Sequence, residues 1–220
     1  WLPRTDTPAH GAYMNYDFEA MLGTLVLEAE RAGAVVVGED LGTFEPWVQD
    51  ELRDKGVLGT SVLWFESVPP EMPRPSQQYR NLALTAVGTH DLPPTAGYLK
   101  GAHNELRHTL GLVDATVDEL NAADKVWIDQ VIDLARAEGE LTDDIMEGLT
   151  RFVASTPSAM TCTTLVDMVG DERIQNLPGT NGEQYANWRM PLCDGTGAPV
   201  LIEDLEQVES FVRLAEASKR

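Results

Sequence analysis

The sequence is short of cysteine, of basic residues and of long apolar runs, and each shortage excludes something. Two cysteines in 220 residues, Cys162 and Cys193, make neither a disulfide framework nor a metal-type spacing. They read as reduced thiols of a cytoplasmic protein. Lys and Arg number 16 against 36 Asp and Glu, for a net charge of −20. So acidic a chain is repelled by nucleic acid and by anionic membrane surfaces, whereas a neutral sugar is indifferent to it. The excess acid reads as a solvated surface that aids solubility. No apolar stretch approaches the roughly 20 residues of a membrane span, and no signal-peptide pattern is present. Dinucleotide, phosphate-loop and Gly-x-Ser-x-Gly sequences are all missing. The histidines His10, His90, His103 and His108 form no metal set, and the last two are five residues apart, which is wrong for one helix face. No cofactor and no metal are expected. There is no internal repeat and no low-complexity tract.

What is present is an alternation of strand-like and helix-like segments, the pattern of βαβ units on a parallel sheet. The run Val35-Val36-Val37-Gly38-Glu39-Asp40 is apolar and β-branched, as a strand buried on both faces must be. It ends in two carboxylates. A second run, residues 82–88, ends in Gly88, Thr89, His90 and Asp91. Acids at the carboxyl ends of parallel strands lie where α/β folds keep their chemistry. Paired carboxylates at such a mouth are the working parts of glycoside chemistry.

The remaining elements follow from caps and periodicity. Residues 17–32 read as a helix capped by Asp17 and closed by Gly33, with Phe18, Met21, Leu22, Leu25 and Val26 on one face. Strand 34–37 follows, then a helix from Pro46 to Lys55 ended by Gly56. Strands are expected at 61–65 and 82–88, separated by an extended, surface-lying loop rich in proline. A short helix follows near 95–99. From Asn104 to Ala154 the pattern is helical and acidic, a set of helices covering one side of the sheet. Residues 159–165 are a weaker strand. A terminal helix spans 203–217, with Leu205, Val208, Val212 and Leu214 facing inward.

Five ordered segments carry a family resemblance. Gly-Ala-Tyr at 11–13, Gly-Glu-Asp-Leu-Gly at 38–42, Gly-Val-Leu-Gly-Thr-Ser-Val-Leu-Trp-Phe-Glu at 56–66, Thr-His-Asp-Leu-Pro at 89–93 and Asn-Leu-Pro-Gly-Thr at 176–180 resemble the 4-α-glucanotransferases. These are the amylomaltases, or disproportionating enzymes, of glycoside hydrolase family 77. Asn-Trp-Arg at 187–189 keeps the same order. The resemblance implies an α/β fold, the carboxyl-terminal half of a (β/α)8 TIM-type barrel with about four parallel strands and an added helical region. Residues 1–101 would hold barrel strands five to seven with their helices. Residues 102–158 would be a helical insertion, and 159–220 the last strand, a substrate loop and the terminal helix.

The resemblance also implies roles. Glu39 matches the general acid/base of a retaining transfer between α-1,4-glucans (maltodextrins), and Asp91 the carboxylate that stabilises the transition state. His90 and Asn176 match substrate-binding positions. The family's nucleophile lies in an Arg-x-Asp-His segment, and none occurs between Trp1 and Arg220. The chain is therefore expected to be the carboxyl-terminal part of a longer enzyme, inactive by itself and self-associating through open barrel edges. The other reading is a non-catalytic module that binds α-glucan or a protein partner. Asp40 has two readings, as a like charge that raises the pKa of Glu39 or, favoured, as a cap for the following helix. Trp64 and Trp188 would either stack on sugar rings or, favoured, pack in the core or at an interface.

Overall fold

The computed structural model describes residues 10–12, 14–45 and 47–219. The segment Trp1-Leu2-Pro3, Tyr13 of the Gly-Ala-Tyr motif and Pro46 at the expected helix start lie outside the described residues.

Three strands form a parallel sheet in the order β1 (Gly59–Val62), β4 (Ala83–Ala86), β5 (Met160–Cys162). Gly59 pairs with Ala83 and Leu84 with Met160. The strand expected at 34–37 contributes one parallel bridge, Val37 to Leu58, through Leu58 N–H to Val36 O (3.0 Å) and Gly38 N–H to Leu58 O (2.7 Å). It is the outermost segment, and Val35 on it is exposed. With no neighbour on its far side among the described residues, a strand patterned for two-sided burial keeps only its paired end.

Helix α1 (Phe18–Ala32) begins and ends where its sequence dictates. The Asp17 carboxylate accepts from Ala20 N–H at 3.1 Å, and Gly33 takes the left-handed conformation that only glycine adopts freely. None of its residues is buried. The apolar face of this helix meets α2 (Trp47–Asp54) across an open groove, where the rings of Phe18 and Trp47 lie 5.0 Å apart.

The proline-rich stretch after β1 is not an extended loop. Residues Leu63–Phe65 form one 3₁₀ turn, and β2 (Ser67–Val68) pairs antiparallel with β3 (Met72–Pro73). Pro73 is buried. The Trp127 indole donates to Trp64 O at 3.1 Å, tying the segment before the hairpin to the helical layer.

The acidic middle of the chain forms α3 (Thr95–Lys100), α4 (Ala102–Thr109), α5 (Val117–Ala137) and α6 (Ile145–Ala154). A Thr-x-x-Glu capping box starts α5: Thr116 caps Glu119 N–H while the Glu119 side chain returns to Thr116 N–H. Far from being a mere cover, these helices carry the main apolar core. Ile128, Val131 and Ala135 of α5 and Leu149, Phe152 and Val153 of α6 enclose Leu63, Trp64, Tyr79 and Val87. Burying each large side chain there contributes about 1.5–3 kcal/mol. Trp64 packs edge-on against Tyr98 at 4.9 Å, a core residue as favoured above.

Two short helices close the chain, α7 (Leu165–Val169) and α8 (Glu209–Ala217), the latter preceded by a 3₁₀ segment Ile202–Gln207. Leu205 and Leu214 are buried, but Val212 is 51% exposed and does not face inward. The break into two helical segments at Val208 rotates the two halves of the stripe out of one line.

Candidate active site

Because the strands run parallel, their carboxyl ends share one edge, and the expected acids follow them. Glu39 lies two residues beyond the Val37 bridge, and Asp91 follows β4 after Gly88-Thr89-His90. One strand, β1, separates their strands, so the two strand ends are about 10 Å apart at the usual strand spacing.

Glu39 is exposed, and its carboxylate accepts from Leu41 N–H at 2.8 Å, a turn closed within its own loop. Asp40 points the other way and is buried. Its carboxylate accepts from Thr60 N–H (2.7 Å), Gln49 Nε2 (2.9 Å) and two guanidinium nitrogens of Arg80 (2.5 and 3.2 Å). Burial pushes its pKa up, but the bonds from Arg80, Thr60 and Gln49 outweigh that and hold it below the ordinary value. The capping reading of Asp40 is therefore corrected. It takes a side-chain amide from α2 and no backbone N–H of that helix, because Arg80 and β1 draw the carboxylate under the sheet edge.

Asp91 is the centre of a second cluster. Asn176 Nδ2 donates to its Oδ1 at 2.5 Å, and His90 Nε2 lies 3.4 Å from its Oδ2. The imidazole of His90 meets the indole of Trp188 with centroids 5.1 Å apart. Trp188 is 62% exposed and has φ +61°, a left-handed conformation rare for a bulky residue. Its N–H donates to Gln175 O at 2.9 Å, which holds it there. Trp188 is therefore not a core residue: the surrounding loop turns its ring outward over His90.

That loop is rigid because it is cross-linked. Asn187 Oδ1 accepts from Leu177 N–H (2.7 Å), Asn187 Nδ2 donates to Thr180 Oγ1 (2.8 Å), and the Tyr185 hydroxyl donates to Ile174 O (2.7 Å). At its root the buried Asp171 carboxylate accepts from Arg173 at Nε (2.9 Å) and Nη2 (2.7 Å) and from Cys193 N–H (3.1 Å). Burial opposes ionisation of Asp171, yet the Arg173 bonds win and keep its pKa low.

Between the strand face and this loop lies a cleft of about 450 Å³, with Thr60, Val62 and Leu84 on its floor and His90, Gln175 and Trp188 at its rim. It combines an apolar floor with a polar, aromatic mouth, as a site for a sugar needs. A larger hollow of about 670 Å³ lies between α1 and α2, but Phe18, Met21, Leu25, Trp47 and Leu52 make it almost wholly apolar. It offers no chemistry. Among the described residues no group of three or more His, Cys, Asp or Glu could hold a metal ion.

A family model described as 4-alpha-glucanotransferase (glycoside hydrolase 77) matches residues 1–195. The chain belongs to this family. A 4-alpha-glucanotransferase of Mycobacterium bovis is 45% identical over 232 aligned residues, covering 99% of this chain but 31% of the relative. The crystal structure of amylomaltase from Corynebacterium glutamicum superposes on all of the chain with TM-score 0.94 and 50% identity, over 33% of its own length. Amylomaltase from Streptococcus agalactiae, solved in complex with acarbose, shares the fold at TM-score 0.60 and 19% identity, covering 94% of this chain and 35% of its own. The chain thus spans about a third of the length of these relatives. The α/β class and the parallel barrel strands implied by the sequence resemblance hold.

Asn176 and His90 are thus brought to Asp91, while Glu39 stands on the same edge two strands away. Sequence reasoning missed Arg80 and Gln49 altogether. The one available signal was general: a buried carboxylate requires a cation or several donors, and Arg80 lies three residues ahead of β4.

Proposed function

We propose that residues 1–220 supply the acid/base and the transition-state carboxylate of a 4-α-glucanotransferase acting on α-1,4-glucans. One observation carries the reading: Asp91, Asn176, His90 and Trp188 cluster at the edge that also bears Glu39. Glu39 protonates the glycosidic oxygen that leaves. In the second half-reaction it accepts the proton of an incoming sugar hydroxyl, so that the acceptor is a glucan rather than water. Asp91 faces the developing oxocarbenium charge, and Asn176 fixes its carboxylate so that no reorientation is needed as charge builds. His90 binds a sugar hydroxyl, and Trp188 offers an exposed ring for a pyranose to stack on. The nucleophile of this retaining double displacement belongs to a chain of amylomaltase length. Action in the cytoplasm goes with the reading.

In such a chain Glu39→Gln keeps the shape of the side chain and removes the transferable proton. Disproportionation of maltotriose to glucose and longer dextrins is expected to fall about 10²–10⁴-fold. Near-normal transfer by Glu39→Gln would refute the assignment.

For the 220 residues alone we propose glucan binding without turnover, because no Arg-x-Asp-His occurs between Trp1 and Arg220. Groups that act as a unit lose nearly everything when one is missing. Incubation of this chain with maltotriose is expected to leave it unchanged.

A further inference from the structure

We infer that Arg80 is a positioning residue for Glu39, acting through Asp40. The inference rests on the reading of Glu39 as the acid/base. Glu39 and Asp40 are consecutive, and the carboxylate of Asp40 is fixed by donors from three separate places: α2 (Gln49), β1 (Thr60 N–H) and Arg80 ahead of β4. Pinning residue 40 fixes the peptide on which Glu39 sits, and hence the direction of its Cα–Cβ bond. Among the described residues the Glu39 carboxylate is anchored by Leu41 N–H alone, so its aim depends on its neighbour.

Arg80 is built for this task. Its guanidinium also donates to Thr60 O and to Ser61 Oγ (3.3 Å), while its carbonyl accepts from Ser158 Oγ at 2.8 Å. The side chain therefore runs across β1 from a fixed base. Gly59 lies under it: a Cβ there would come within 2.5 Å of Arg80 Nη1 and 2.8 Å of Asp40 Oδ2, so only glycine leaves room for the pair. Stability alone does not explain the arrangement. Only the Asp40 end of the pair is buried, an ion pair at such a site commonly contributes no more than apolar residues of equal volume, and three elements converge here on one carboxylate beside one acid.

The test is carried out in a chain of amylomaltase length carrying these residues, with kcat, KM and melting temperature measured for each variant. Arg80→Gln is expected to lower kcat for maltotriose disproportionation about 10- to 100-fold, the scale of a displacement of about 1 Å at a reacting group, while KM stays within about twofold. Arg80→Lys keeps the charge without the planar fork and should recover part of the loss. On a Glu39→Gln background Arg80→Gln should add almost nothing, because both changes act through one side chain. Should Arg80→Gln fail to fold, Gln49→Ala removes one donor and no charge, and a lowered kcat at native circular dichroism supports the inference. A lowered melting temperature with kcat unchanged, or losses that multiply across the double variant, overturns it while leaving Glu39 in its role. Full transfer by Glu39→Gln alone removes the reading beneath it, a separate and recognisable result.

Discussion

The Asn176 amide donates to the Asp91 carboxylate across 85 residues of sequence. That bond joins the loop after β4 to the loop after α7 and makes one site of two distant motifs.

Loss of that bond should be felt in catalysis more than in folding, because both groups lie near solvent. Asn176 holds the carboxylate where charge develops, and groups oriented in this way matter most in the transition state, so Asn176→Ala in the active enzyme should reduce kcat/KM by about tenfold or more with little change in melting temperature. Asn176→Asp should be worse at neutral pH. A second carboxylate in that contact replaces the donor and repels Asp91, and the repulsion is relieved only when one of the pair takes a proton. Part of the activity should return on acidification, read from the pH profile of kcat/KM.

The exposed ring of Trp188 carries a backbone penalty that glycine would not. Trp188→Gly should leave the melting temperature of the 220-residue chain unchanged or higher, since about 1 kcal/mol of left-handed strain is released. In a chain of amylomaltase length the same change should raise KM for maltodextrins by removing the stacking surface. A rise in KM without loss of stability separates a binding aromatic from a packing one.

Acid should unfold the chain in two stages. Burial dominates His103 and lowers its pKa from 6.5, despite its 2.9 Å contact with Asp124. A depressed His favours the folded state above its unfolded pKa, and that stability is lost as pH falls below 6.5. Asp40 and Asp171 follow. Their folded pKa values lie below the reference 3.8, so their contribution holds above that pH and disappears beneath it. Asp167 works in the opposite sense, because burial raises its pKa and protonation relieves it. Melting curves from pH 8 to 3 should show the first decline flattened by His103→Gln and the second by Asp40→Asn or Asp171→Asn.

The groove between α1 and α2 should govern association of the 220-residue chain. Met21 is 61% and Leu25 45% exposed on a helix with no buried residue, and Val37 ends the sheet with one bridge. Sedimentation velocity should show self-association that Met21→Glu with Leu25→Lys shifts toward the monomer. A monomer at high concentration before any substitution would sink this expectation.

The sequence alone determined what depends on neighbours within a turn or a strand. Asp17 and Gly33 bound α1, and apolar runs ending in Gly-Glu-Asp and Gly-Thr-His-Asp place Glu39 and Asp91 beyond strand ends. Capping and periodicity are local forces, so they can be read locally. Only the tertiary structure decided which way Asp40 turns, that Arg80 is its partner, that Asn176 reaches Asp91, and that Trp188 faces outward over His90. It also left the apolar stripe of α1 uncovered. These outcomes depend on which segments return to the same place 40 or 85 residues later. A buried carboxylate must find donors, but nothing in its immediate sequence says from where the fold will bring them.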